Sequence, residues 1–170
     1  SGSIVNMAYR EGLNATISAD PKVIEQADRL IFPGVGSFDF AVRRLKKIGL
    51  WELLDQQVRV LKKPILGVCL GMQLMTNGSE EGSEQGFGWI DADVRRFPEG
   101  ALKVPHMGWN VVSRNVCSFE QLDIYERFYF AHSFGVHCND QSDVMMYSNY
   151  GEQFVSGFHR DNIVGLQFHP

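Results

Sequence analysis

The sequence predicts an α/β fold with a central mixed, mostly parallel sheet flanked by helices, and three features carry that prediction. The apolar residues ending at Phe32 stop at a glycine turn, Pro33-Gly34-Val35-Gly36. A second apolar run, Pro64–Cys69, stops at a turn flanked by Gly67 and Gly71. Each turn is followed by residues at helical spacing, and strand, turn, helix repeated in that order favours parallel pairing.

In chain order, Ile4–Glu11 reads as a helix, Ala15–Ser18 as a strand and Ala27–Phe32 as a short buried strand. Ser37–Leu54 places Phe38, Ala41, Val42, Leu45, Ile48 and Leu50 on one face with basic residues between them, and the pattern continues through Val58 to Leu61 before Pro64 ends it. Pro64–Cys69 is the next strand and Leu70–Thr76 a helix that closes near Asn77-Gly78. The second half changes character. Short apolar segments at Asp93–Phe97, Trp109–Val112, Phe128–Phe134, Val144–Tyr150, Phe154–His159 and Ile163–Phe168 are separated by Gly, Asn, Asp and Pro, which predicts several strands and little helix. With no repeat or linker, residues 1–170 read as one domain. A parallel sheet of this kind ordinarily has a strand ahead of the first helix, so the sheet is expected to extend beyond the sequence at that end.

Composition narrows the function classes. The 170 residues are 44% hydrophobic, enough for a sizeable core, and the formal charge of -4 is spread along the chain without the basic block that nucleic-acid binding requires. No apolar run reaches bilayer length and no signal-peptide layout opens the chain, so a cytoplasmic location without membrane contact is expected. Cys69, Cys117 and Cys138 are odd in number and lack metal-ligand spacing, so reduced thiols and no metal are expected. No cofactor-binding pattern is present either: the glycine turns match neither the Walker loop nor G-x-G-x-x-G.

Gly67-Val68-Cys69-Leu70-Gly71 is a G-x-C-x-G pattern at a strand-to-helix turn. In a nucleophile elbow the central residue is strained outward, and side chains two positions away on either side would collide. A helix N-terminus there lowers a thiol's pKa and supplies N–H groups for an oxyanion. A buried cysteine acting as a small hydrophobe is the alternative. Of the five histidines, His169 is the best base, because it follows an apolar strand and should emerge at the carboxyl edge of the sheet with Cys69. The Gly34–Gly36 turn supplies flexible backbone N–H groups suited to an oxyanion hole.

These residues resemble a family. Pro33–Phe38 "PGVGSF", Gly67–Gln73 "GVCLGMQ", Pro105–Asn110 "PHMGWN", Tyr129–Ser133 "YFAHS" and Gly165–Pro170 "GLQFHP" are together similar to class I, triad-type glutamine amidotransferases, most closely the glutaminase subunit of imidazole glycerol phosphate synthase. The resemblance implies a flavodoxin-like core and a Cys-His-Glu triad in which Cys69 attacks the glutamine amide and His169 shuttles its proton. The glutamate would follow Pro170, where the sequence stops. Gly34, Val35 and Gly36 match the oxyanion strand, with the Leu70 amide as second donor. Gln73, Glu81, Ser133 and Phe134 match glutamine-binding positions, and Phe134 stands where the family usually has tyrosine. Trp109, Asn110 and Tyr129 fall where the family meets its partner, a TIM-barrel cyclase that takes the ammonia and forms a heterodimer; core packing is the alternative for the two aromatics.

Two other functions stay open on the sequence. One is a paralogous glutaminase feeding a sugar-modifying amidotransferase of surface-polysaccharide synthesis, for which "GFGWIDADV" and Phe134 leave room. The other is a non-catalytic module that keeps the partner surface alone.

Overall fold

A computed structural model describes residues 2–98, 100, 102–114 and 126–169, so Cys117 and Pro170 lie outside the described residues. Helix α1 (Gly2–Arg10) is followed by α2 (Pro21–Gln26), whose start is set by Asp20: its side chain accepts the Lys22 N–H, and Pro21 occupies a position where no donor is needed. Strand β1 (Leu30–Gly34) leads to α3 (Phe38–Lys47), capped by the Ser37 hydroxyl. Gly49, at φ 72°, breaks the predicted long helix and starts α4 (Leu50–Asp55), which runs into one π turn over Gln56–Val60. The apolar stripe that predicts one helix over 37–61 therefore belongs to two, because the left-handed glycine re-aims the second.

Strand β2 (Ile65–Cys69) and α5 (Leu70–Leu74) form the second strand-turn-helix unit, and β3 is only Gly78–Ser79. The remaining strands are β4 (Ala92–Arg96), β5 (His106–Arg114), β6 (Glu126–His132), β7 (Phe134–Cys138), β8 (Val144–Tyr150), β9 (Glu152–Arg160) and β10 (Ile163–Leu166). The predicted strand Phe128–Phe134 is two strands, divided at Ser133. Ala15–Ser18 forms no strand, since none of its backbone pairs with the described sheet, and α2 was not legible in the sequence.

The sheet is mixed, in the order β1-β2-β10-β9-β7-β4-β3, with β8 also on β9 and the β5–β6 ribbon joined through β8. Its parallel pairings are β1–β2, β2–β10 and β3–β4, three against six antiparallel, so the expectation of a mostly parallel sheet is corrected: β8–β9 and β9–β10 are joined by turns too short for parallel neighbours, and non-consecutive second-half strands pair antiparallel as well. The three parallel strands β1, β2 and β10, at one end of that order, position the site. Gly34 lies opposite Cys69 across β1–β2, and Leu166 opposite Val68 across β2–β10, so both glycine turns and the chain leading to His169 leave one edge together.

One apolar core fills the space between this sheet and α2–α5. A second, rich in aromatics, includes Phe97, Phe130, Phe154 and Phe168 beneath the β5–β6 ribbon. The first is tied to the loop after α5 by a three-ring stack: Phe87 lies 3.7 Å from Trp51 and 4.1 Å from Trp89, centroid to centroid. Trp89 is held in turn by its Nε1–H, which donates to Asp55 at 2.8 Å. Replacing a buried ring at the centre of such a stack costs about 3 to 4 kcal/mol. Phe87→Ala is therefore expected to lower the denaturation free energy by about that amount, and a loss under about 1 kcal/mol would show that the stack does not anchor α4.

Candidate active site

Cys69 ends β2 with φ 55° and ψ -114°, a conformation that an L-residue holds only under constraint from its surroundings. The constraint is visible in its two flanking glycines. A Cβ on Gly71 would lie 1.7 Å from the Phe32 carbonyl oxygen, and one on Gly67 would lie 2.9 Å from the Met72 backbone. The helix start is thus pressed onto β1 and β2 too closely for side chains, and the G-x-C-x-G pattern is a nucleophile elbow.

The elbow opens into a cavity of about 300 Å³. Val35, Gly36, Cys69, Leu70, Gln73, Glu81, Ser133, Phe134 and His169, nine of the residues singled out in the sequence, line it together. Gly34 is not on its wall. A Cβ there would come within 2.9 Å of the Leu70 Cβ, so glycine at this position lets the turn sit directly on the elbow. Pro105, Met107, Ala131 and His132 also line the cavity and were not legible as site residues, although all four fall within the quoted "PHMGWN" and "YFAHS" segments.

Burial is the dominant influence on the Cys69 thiol and raises its pKa, against the Leu70 N–H and the Gln167 side chain, which lower it. The expected lowering by a helix N-terminus is present only in part, because α5 is five residues long and the sulfur is enclosed. His169 lines the same cavity, its backbone N–H donating to the Tyr129 carbonyl at 2.9 Å. Burial lowers its pKa, which keeps the imidazole neutral at pH 7 and able to take a proton. The cavity therefore holds a protonated thiol and a neutral imidazole.

Gln167, fully buried, is a further site residue not legible in the sequence. Its Nε2 donates to Cys69 Sγ at 3.7 Å, and its Oε1 accepts from Gln73 Nε2 at 3.0 Å. Gln73 Nε2 also reaches the Phe134 carbonyl at 3.3 Å. The amide orientations follow from that carbonyl, which can only accept. Gln73 must turn its NH₂ inward, Gln167 must answer with its oxygen, and the Gln167 NH₂ is left facing the sulfur.

Glu81 sits on a loop fastened by Asp39, whose carboxylate accepts from the Ser83 and Glu84 N–H groups at 3.1 and 3.0 Å. One Glu81 oxygen accepts the Phe38 N–H at 2.8 Å. The carboxylate is thereby held at the cavity wall by the start of α3. Among the described residues, no cluster of three or more His, Cys, Asp or Glu side chains is arranged to hold a metal ion.

Trp109, Asn110 and Tyr129 lie outside the cavity, on the β5–β6 ribbon. Trp109 is 65% and Tyr129 36% exposed, and their rings meet edge-on at 6.0 Å. Core packing is thus excluded for Trp109. Asn110 differs: its side chain turns inward, its Nδ2 donating to the Asn149 carbonyl and lying 3.2 Å from His106 Nε2.

Gln167→Met removes a donor to the sulfur while keeping bulk. With burial already raising the thiol pKa, the loss raises it further, so the rate of Cys69 alkylation should rise at higher pH than in the parent protein. At neutral pH, alkylation should be about three to ten times slower. An unchanged profile would show that Gln167 does not act on the sulfur.

Comparison with known proteins places this geometry. The family model described as "Glutamine amidotransferase class-I" matches residues 4–170. A Methanococcus maripaludis protein named imidazole glycerol phosphate synthase subunit HisH 2 is 45% identical, over 99% of this chain and 85% of its own length. A Pseudomonas aeruginosa protein of the same name is also 45% identical with the same coverages. A Campylobacter jejuni subunit HisH 1 is 46% identical over 91% of this chain and 78% of its own. Among solved structures, a glutamine amidotransferase superposes with TM-score 0.78 over 99% of this chain and 84% of its own, at 16% identity. A Thermotoga maritima glutamine amidotransferase does so with TM-score 0.68, over 98% and 68%, at 18% identity. The chain belongs to the class-I glutamine amidotransferases, within the HisH subunits of imidazole glycerol phosphate synthase.

Proposed function

We propose that this chain is the glutaminase subunit of an imidazole glycerol phosphate synthase, hydrolysing glutamine to glutamate and ammonia for a separate synthase subunit in histidine biosynthesis. The observation that carries the reading is Cys69, strained outward by an elbow into a cavity that it shares with His169, the glycine turn and Glu81. A non-catalytic module has no use for that strain.

The chemistry follows from the residues. Cys69 Sγ attacks the side-chain carboxamide carbon while neutral His169 takes the thiol proton. The developing oxyanion is met by the Leu70 N–H and by N–H groups of the Gly34–Gly36 turn. His169 then returns the proton to the departing nitrogen, ammonia leaves, and water cleaves the thioester to release glutamate. The free oxygen of Glu81 attracts the α-ammonium, and the Ser133-Phe134 backbone with Gln73 frames the amino-acid end, so the pocket reads a free amino acid. No helix among the described residues is long and apolar enough to cross a membrane. A cytoplasmic setting, where glutamine and reduced thiols coexist, suits the reaction.

The partner is a TIM-barrel cyclase docking as a heterodimer over the cavity mouth. Val35, Met107 and Trp109 are 83%, 64% and 65% exposed around that mouth, and exposed aromatic and methionine side chains are what interface cores favour. Asn110 contributes through its backbone and through its inward contacts.

A second reading keeps the glutaminase and changes the synthase. Several relatives carry copy numbers, HisH 1 or HisH 2, so their genomes hold more than one such subunit. A paralogue supplying a sugar-modifying amidotransferase would share every residue described here, since the acceptor chemistry lies on the partner.

Glutamate release from glutamine, measured alone and with the histidine-pathway cyclase of the same genome and its nucleotide ligand, distinguishes these readings. Stimulation of at least about ten-fold, absent in Cys69→Ala, is expected. Activity without stimulation by that cyclase would transfer the assignment to the paralogue, and no release under any condition would overturn the glutaminase reading.

A further inference from the structure

Behind the Ser133-Phe134 wall lies a buried histidine pair, His106 and His132, whose ring hydrogens can be placed from both ends. At one end the Asn110 amide has a fixed orientation. Its Oδ1 accepts the Val111 N–H at 2.8 Å and its Nδ2 donates to the Asn149 carbonyl at 2.9 Å. Turning it over would set donor against donor and acceptor against acceptor. Because Nδ2 also lies 3.2 Å from His106 Nε2, that nitrogen accepts, and His106 carries its hydrogen on Nδ1.

At the other end His132 Nδ1 lies 2.7 Å from the Phe134 carbonyl, which can only accept. His132 therefore also carries its hydrogen on Nδ1, and its Nε2 is an acceptor. Between the rings, His106 Nδ1 and His132 Nε2 stand 3.2 Å apart. The assignments made independently from Asn110 and from Phe134 meet there as donor facing acceptor.

Packing holds the rings in this arrangement. His106 is sandwiched between Phe130 and Tyr150, at 4.8 and 3.9 Å, and His132 meets Phe97 and Phe154, each at 5.2 Å. Burial pushes His106 down to about 4 and His132 down to about 3, so both are neutral at physiological pH and each has one hydrogen to place. Neutral histidine in water prefers its hydrogen on Nε2. Against that preference, the Phe134 carbonyl and the donor chain from Asn110 both place the His132 hydrogen on Nδ1.

We propose that His132 is a positioning residue for glutamine: in the Nδ1–H form that His106 and Asn110 reinforce, it fixes the Phe134 carbonyl and with it the Ser133-Phe134 wall of the substrate cavity. The inference rests on the glutaminase reading of that cavity. The same carbonyl is the acceptor that orients Gln73, and through it Gln167 and the Cys69 sulfur, so one atom serves both the substrate wall and the nucleophile. The far end of the chain, Asn110, adjoins the exposed Trp109 on the ribbon where the synthase is expected.

Two measurements test this. Nitrogen-resolved NMR of the histidine side chains of the full protein, assigned with His106→Gln and His132→Asn, should show both rings neutral with hydrogen on Nδ1; hydrogen on Nε2 of His132 would overturn the proposal. In kinetics, His132→Asn, whose amide N–H can occupy the place of Nδ1–H, should hold the glutamine KM within about three-fold of the parent. His132→Leu should raise KM roughly ten-fold, with a smaller change in kcat. Equal KM values for the two variants would also overturn it. If the parent protein hydrolyses no glutamine with or without the synthase, the glutaminase reading fails, while the spectra still decide the hydrogen placement.

Discussion

The approach of α5 to the parallel strands is the constraint on which the site depends. The Phe32 carbonyl sits where a Cβ on residue 71 would be, and the Met72 backbone sits against residue 67, so the turn closes only with glycine at both positions. The backbone between them has no relaxed alternative, and the strain falls on Cys69 at φ 55°. The β1–β2 register then places Gly34 opposite Cys69, and β10, parallel on the other side of β2, carries the chain to His169. Cys69, the glycine turn and His169 are thus delivered to one edge by three adjacent strands, the placement that open parallel sheets favour for sites.

Enclosing the sulfur has a cost that the surrounding amides offset in part. A buried thiol resists ionisation, and among the described residues no cationic partner lowers its pKa; the Leu70 N–H and Gln167 Nε2 do so instead. Burial lowers the His169 pKa for the same physical reason. Both groups therefore rest neutral. The inner polar groups, Gln73, Gln167, His132 and His106, satisfy one another in a fixed direction, as buried polar groups in a low-dielectric interior must.

How far the sequence could be read depended on the range of the signal. The elbow was legible because both its requirements, a strained centre and two close approaches, are written within five residues. The oxyanion turn and His169 were legible because apolar strands run directly into them. Gly49 was passed over because the apolar stripe of 37–61 continues through it, and a single left-handed residue leaves the hydrophobic period nearly intact. The excess of antiparallel pairing depends on which second-half strands become neighbours, which no local pattern encodes. The roles of Gln167 and His132 were hidden for a related reason: each is defined by a partner far along the chain, Gln73 for Gln167 and His106 for His132. Trp109 illustrates the converse, an aromatic whose composition suggests core and whose position on the ribbon leaves it exposed.

The central claim, that Cys69 is a nucleophile aimed at a glutamine cavity, is tested most directly by labelling the protein with a glutamine-mimicking electrophile and mapping the modified cysteines by mass spectrometry. Burial pushes the Cys138 thiol up to about 12, so it offers almost no thiolate at neutral pH. The account predicts modification of Cys69 well ahead of Cys138 and Cys117, with protection by free glutamine. Modification spread evenly over the three cysteines, or labelling of Cys69 that glutamine does not slow, would contradict it.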